Sequence, residues 1–187
     1  RVNAVRGIQL DDSEGHVSVL GNPTEGALLL WLRERGVDYR RLRDSALRLE
    51  ELPFTTERKY MATAVQSATG KRILYVKGAP EIVFGMCSDT AGVTKAEIDA
   101  QLLEYQNMAM RTLGFAYAEL ADGQSLETLN SQPSTLNLRF LGIVAISDPV
   151  RADVPEAVRE VVDAGVKVKI VTGDTPGTAK EIGRQIG

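Results

Sequence analysis

The chain has 187 residues, 43% hydrophobic and 25% charged, with 22 basic against 25 acidic side chains and a formal net charge of -3. That length is enough for one to one and a half domains with a real core, and the acidic balance offers no global basic surface to hold nucleic acid, which is not expected as a partner. A single cysteine, Cys87, and a single histidine, His16, exclude an internal disulfide and a zinc site of the usual ligand type.

The opening Arg-Val-Asn-Ala-Val-Arg-Gly has no apolar run and no initiator Met, so it reads as part of a longer chain rather than as a signal peptide. The longest stretches free of charged or strongly polar residues, 26–32 and 140–146, fall far short of the roughly 20 residues a membrane helix needs. A short strand is expected over 16–20, broken by Gly21-Asn22-Pro23. A helix follows, with Ala27, Leu28, Trp31 and Leu32 on one face and Gly36 as its stop. The run Arg40-Arg41-Leu42-Arg43 reads as a solvated face. Strand alternation then takes over: Leu47 and Leu49, residues 60–67, the turn Ala68-Thr69-Gly70-Lys71, and residues 72–76, the last two strands making a β-hairpin. Ala79-Pro80-Glu81 opens a short helix. Thr94 and Glu97 form a capping box ahead of a helix whose Ile98, Leu102, Tyr105 and Met108 make a core face. Residues 115–120 read as a strand, 121–137 as a long polar loop, and 138–147 as another strand.

Beyond Asp148 the grammar changes. Asp153-Val154-Pro155-Glu156 caps an amphipathic helix ending at Gly165, residues 166–172 form an apolar strand, and Pro176 opens a last helix. With 138–147 this makes β-α-β-α, the unit of a parallel doubly wound sheet, which needs more strands than these two. The tail therefore reads as part of a second domain.

Neither the P-loop pattern nor G-x-G-x-x-G occurs. Four other stretches stand out: Gly21-Asn22-Pro23-Thr24-Glu25-Gly26-Ala27-Leu28, residues 53–61 from Pro53 to Met61, Val76-Lys77-Gly78-Ala79-Pro80-Glu81, and Thr172-Gly173-Asp174. Lys77-Gly78-Ala79 runs from a strand into a helix start, where small residues let a ligand approach and unpaired N–H groups favour anions; an ordinary strand-to-helix turn would look the same. Phe54 is either a hydrophobic plug at a strand end or a platform for stacking on a base. Arg58 and Lys59 are solvated strand charges, or else Lys59 and Lys77 converge from facing strands into a positive pocket. Glu25 suits the first turn of a helix by the dipole alone. Asp174 is a plain helix cap, or it stands at the strand end where doubly wound sheets bind phosphates.

In this order, these stretches together with Arg111-Thr112-Leu113 and Asp148-Pro149-Val150-Arg151 resemble the P-type cation-transporting ATPases, and the Gly21 to Leu29 variant looks most like the calcium-transporting members. The resemblance runs from the Glu25 motif through Gly177-Thr178-Ala179 to Arg184-Gln185-Ile186-Gly187. It implies an α+β fold: residues 1–140 as a nucleotide-binding domain, an antiparallel sheet with flanking helices, and 141–187 as a partial, incomplete α/β haloacid-dehalogenase-like phosphorylation domain. It implies ATP as ligand, with Phe54 stacking on adenine, Glu25 near its edge, Lys59 and Met61 around the purine, Lys77, Gly78 and Ala79 flooring the pocket, and Arg111 on the phosphate side. Thr172, Gly173 and Asp174 match the loop facing the transferred phosphoryl group and its Mg2+, and Asp148 to Arg151 match the hinge beside it.

Two departures matter. Thr56 stands where some calcium pumps carry an arginine reaching toward the phosphates. The phosphorylated aspartate of the family lies in Asp-Lys-Thr-Gly-Thr, and no Asp in this chain is followed by Lys-Thr-Gly. The resemblance thus implies an ATP-binding piece of a membrane cation pump at the cytosolic face, with magnesium in the whole protein. Its partners would be the remaining phosphorylation, actuator and transmembrane domains of the same polypeptide, and the piece alone would be inactive. A regulatory ATP-binding module and a haloacid-dehalogenase-like phosphatase are the alternatives; the latter needs an Asp-x-Asp loop, which the chain lacks.

Overall fold

The computed structural model describes residues 9–11, 18–147, 150–172 and 176–187. In chain order the elements are β1 (Gln9–Asp11), β2 (Ser18–Leu20), α1 (Pro23–Glu34), α2 (Tyr39–Asp44), β3 (Ala46–Leu52), β4 (Tyr60–Ser67), β5 (Arg72–Gly78), α3 (Pro80–Gly85), α4 (Lys95–Asn107), β6 (Arg111–Glu119), α5 (Leu126–Ser131), β7 (Arg139–Ile146), α6 (Val154–Asp163) and α7 (Pro176–Ile186). They divide into two compact units, one of Arg1–Val93 with Leu113–Ile143 and one of Thr94–Thr112 with Val144–Gly187. Among the described residues no helix is long and apolar enough to cross a membrane.

In the first unit, β1 and β2 pair antiparallel beside α1. The helix starts where the Asn22 side chain accepts from the Thr24 and Glu25 N–H groups, with Pro23 at its first position, and it stops where Gly36 takes φ +69. Gly26 has no room for a side chain, since a Cβ would lie 2.0 Å from Val19 Cγ1. Leu10, Leu29 and Tyr39 form a small core here. The basic run is more than a solvated face. Asp38 caps α2, buried Tyr39 accepts from the Leu10 N–H through its hydroxyl (3.2 Å), and the Arg40 and Arg43 guanidinium carbons lie 5.7 and 4.9 Å from the Tyr39 ring centre.

The main sheet has the order β3-β4-β5-β6-β7, antiparallel from β3 through β6. Its register sorts side chains into two faces. Ala62, Val76 and Ala116 form one cross-strand row and Ala64, Leu74 and Ala118 the next, all buried. These small and branched side chains let helices approach closely: a Cβ on Gly114 would meet Pro80 of α3 at 2.7 Å, and the Tyr60 hydroxyl, on the same face, donates to Asn130 of α5 at 3.4 Å. The opposite face carries Met61, Lys77 and Phe115 in one row and Thr63, Tyr75 and Tyr117 in the next.

Four expectations change. The polar loop over 121–137 instead holds α5 and a 3-10 turn at Pro133–Leu136. Ser125 and Thr128 cap each other's backbone N–H groups at the start of α5, and Leu126, Leu129 and Leu136 are buried, so local capping outweighs the loop-like composition. The strand expected at 115–120 begins earlier, at Arg111. Residues 138–147, expected to open a parallel unit, supply β7 as the fifth strand of the main sheet. No described strand pairs with residues 166–172, and Val166, Val168, Ile170 and Val171 are exposed. An apolar run becomes a parallel strand only when neighbouring strands satisfy its backbone.

In the second unit, the Thr94 hydroxyl accepts from the Glu97 N–H while the Glu97 carboxylate accepts from the Thr94 N–H at 2.8 Å, the capping box that starts α4. Ile98 and Leu102 are buried on this helix, whereas Tyr105 and Met108 are only half-buried. Helix α7 lies against α4 and α6.

Candidate functional site

Most of the expected nucleotide residues lie in the first unit, around the Met61–Lys77–Phe115 row. Lys77 stands on β5 directly across from Met61 of β4, and both are buried. A lysine in such a place needs a counter-charge. Glu25, in the first turn of α1, supplies it: Lys77 Nζ donates to Glu25 Oε1, and the residues are only 5% and 9% exposed. Burial holds the Lys77 pKa below its ordinary value, while the hydrogen bond and charge of Glu25 and the charge of Glu51 pull it back up. The two-lysine positive pocket is thereby modified, because Lys77 presents a neutral pair rather than a bare cation, while Lys59 remains exposed.

Gly78 and Ala79 meet the β3–β4 loop through the backbone. Lys59 adopts φ +59, and its carbonyl accepts from the Ala79 N–H at 2.9 Å. That carbonyl lies where a side chain on Gly78 would go, 2.4 Å from an ideal Cβ, so glycine is required at this close approach. The loop closes on itself as well. The Lys59 N–H donates to the Thr55 carbonyl (2.8 Å), the Arg58 N–H to Thr55 Oγ1 (3.2 Å) and Arg58 Nη1 to the Pro53 carbonyl (2.7 Å). Phe54 projects from this loop at 56% exposure. A side chain so open is not a plug in the core.

The structure therefore gathers Glu25, Met61, Lys77, Gly78, Ala79 and the Lys59 backbone, and it presents Phe54 on the adjoining loop. Arg111, exposed at the start of β6, belongs to the second unit. So do Thr172, which is exposed, and Arg151, whose Nε lies 3.6 Å from Asp153 Oδ1. Asp148, Gly173 and Asp174 lie outside the described residues. Sequence reasoning passed over Thr63, Tyr75, Phe115 and Tyr117, which share the face of Lys77; their i, i+2 spacing along β4, β5 and β6 was the available signal. It also left Arg58 as a solvated charge. Cys87 contributes no reactive thiolate, since burial first and the Asp89 charge second push its pKa up to about 11. Among the described residues no three His, Cys, Asp or Glu side chains converge as a metal site.

The arrangement suits a flat ligand with an apolar face: an open aromatic on a braced loop, half-buried aromatic side chains along the adjacent sheet face, and a buried lysine already paired with a carboxylate. Comparison with known proteins gives the family. The family model described as "P-type ATPase, cytoplasmic domain N" matches residues 2–153. Curated relatives include the calcium-transporting ATPase PAT1 of Dictyostelium discoideum, 38% identical over 99% of this chain and 17% of that protein, and the calcium-transporting ATPase type 2C member 2 of Mus musculus, 38% identical over 91% of this chain and 18% of that protein. Calcium-transporting ATPase 1 of Lactococcus lactis is 33% identical over 90% of this chain and 20% of that protein. The chain thus spans about one fifth of the length of these relatives.

Proposed function

This chain belongs to the P-type ATPases, and from that premise we propose that it is the part that holds ATP in a membrane pump driven by ATP hydrolysis, with calcium as the transported cation. The observation that carries the reading is Phe54: a large aromatic left open to solvent, on a loop closed by its own hydrogen bonds, next to the Lys77-Gly78-Ala79 strand end. Phe54 stacks on adenine; Glu25 lies near the base edge; Lys59 and Met61 flank the purine; Lys77, Gly78 and Ala79 form the floor; Arg111 serves the phosphates. The Glu25 partnership suits Lys77 to a floor residue, because a neutral pair lets an uncharged base come close without stranding a buried ammonium.

Residues 1–140 are assigned to nucleotide binding and 141–187 to a partial phosphorylation domain, with β7 crossing that line as a strand of the main sheet. Asp148, Arg151, Thr172, Gly173 and Asp174 are assigned to the phosphoryl-transfer side. Thr172, Gly173 and Asp174 would face Mg2+, which when bound would neutralise phosphate charge. Covalent transfer in the whole protein proceeds through an aspartyl phosphate, for which this chain has no Asp-Lys-Thr-Gly-Thr segment. The remaining domains, including the membrane-spanning ones, are its partners.

The test is a titration of ATP against the 187-residue chain and its Phe54→Ala variant, with urea unfolding of both. Aromatic stacking on a base contributes about 1–3 kcal/mol, so Phe54→Ala weakens binding about 5- to 150-fold while the unfolding midpoint barely moves. Unchanged affinity, or no ATP binding by the parent chain, ends the reading.

A further inference from the structure

An exposed aromatic is useful for stacking only if its loop is already in the binding conformation; otherwise the ligand must order the loop, and affinity falls. Residues 53–59 owe much of that order to one side chain. Arg58 Nη1 reaches back five residues to the Pro53 carbonyl (2.7 Å), directly across the base of the Phe54 loop, and its guanidinium carbon lies 5.7 Å from the centre of the Tyr60 ring. Tyr60 is buried and tied to Asn130 of α5 through its hydroxyl. One end of the brace is thus the backbone next to Phe54, and the other is a ring fixed in the core. The opposite lip of the loop is fixed independently, through the Lys59 carbonyl and the Ala79 N–H.

We propose that Arg58 is a positioning residue for base stacking: it holds the Pro53–Phe54 segment in the stacking-ready conformation without touching the nucleotide itself. The inference rests on the ATP-binding reading and adds to it the residue through which Phe54 is preorganised. A guanidinium fits this task better than an ammonium, because its planar fork donates along its edge while its face stays on an aromatic ring.

The experiment is a double-mutant cycle on ATP affinity using the 187-residue chain, Arg58→Ala, Phe54→Ala and the combined variant, at low and high salt. Amide hydrogen exchange is followed over residues 54–59. Freeing one braced segment is expected to weaken binding about 2- to 10-fold in Arg58→Ala, to speed exchange at the Lys59 amide, and to add nothing once Phe54 is already alanine. The effect should survive high salt. A loss that persists in the Phe54→Ala background and fades with salt identifies Arg58 as a direct phosphate contact and overturns the proposal. So does an unchanged affinity in Arg58→Ala when Phe54→Ala alone weakens binding. Absence of ATP binding by the parent chain removes the nucleotide reading and this inference together, a result distinct from either of those. Should Arg58→Ala not fold, Arg58→Met, which keeps the aliphatic stem beside Tyr60 and removes the donors, takes its place with the same expectations.

Discussion

Neutralising one member of the Glu25–Lys77 pair and neutralising both have different consequences, and the difference tests whether this pair joins α1 to the main sheet. Lys77→Met keeps the packing of the lysine stem but leaves the Glu25 carboxylate buried without its ammonium; Glu25→Gln strands the ammonium instead. Removing one partner of a buried pair costs about 3–5 kcal/mol, whereas replacing both with groups of similar volume is often nearly neutral. Glu51 gives the lysine a second carboxylate field, which softens the loss of Glu25 and is itself left uncompensated when Lys77 is removed. That field places Glu25→Gln at about 3 kcal/mol and Lys77→Met at about 4 kcal/mol. With a urea slope of about 2 kcal/mol/M, the midpoints fall by about 1.5 and 2 M. The double variant should lose only about half of the summed effect, a coupling of about 3.5 kcal/mol. Trp31, the only tryptophan and less than two turns from Glu25 on α1, reports the transition by fluorescence. Two small, additive single effects would refute the reasoning. The pair also predicts a pH dependence. Because burial lowers the folded Lys77 pKa below the ordinary 10.5, the unfolded state binds more protons between the two values, and stability rises with pH across that alkaline window. Lys77→Met should lack that rise.

Gly78→Ala should destabilise the chain by about 1–3 kcal/mol in urea, since its Cβ would collide with the Lys59 carbonyl and Tyr60 backbone; a midpoint equal to the parent's would show that the close approach is dispensable. Thr94→Ala should cost about 1 kcal/mol through loss of the α4 cap, measured by urea unfolding followed by circular dichroism. Its partner Glu97 has a folded pKa held below 4.5, first by the Thr94 backbone hydrogen bond, so the carboxylate's share is present above pH 4.5 and is lost as the pH falls through the lowered value. An acid stability profile that is the same in parent and Glu97→Gln would contradict this. The 187-residue chain should retain no acid-stable phosphate after incubation with labelled ATP, because it lacks the Asp-Lys-Thr-Gly-Thr nucleophile; label recovered after acid quench would overturn that.

Elements built from local chemistry were legible in the sequence. The Thr94 cap, the four-residue turn between β4 and β5, and the Pro80 helix start each depend on residues only a few positions apart. Helix α5 was missed because its Ser, Thr, Asn and Gln residues also describe a loop, and only the reciprocal Ser125–Thr128 cap distinguishes the two. The placing of β7 was beyond a single-strand reading, since an apolar run suits an antiparallel sheet as well as a parallel unit. At the site, Phe54 was noticeable as an aromatic in a polar stretch. The Glu25–Lys77 bond joins residues 52 positions apart and leaves no spacing signal. The Arg58 brace hid for a different reason: a charged residue in a loop reads as solvated until its acceptor is seen.

That long reach between Glu25 and Lys77 also bears on the order in which the chain folds. The β4–β5 hairpin pairs seven residues across a short turn, so its closure entropy is small and it is suited to form early. While only the sheet exists, Lys77 points to a face still open to water and keeps its hydration. Docking of α1 then strips water from both charges in a single event. The barrier to that late step is electrostatic as much as conformational, so the sheet and the helix that covers Lys77 can assemble on separate timescales.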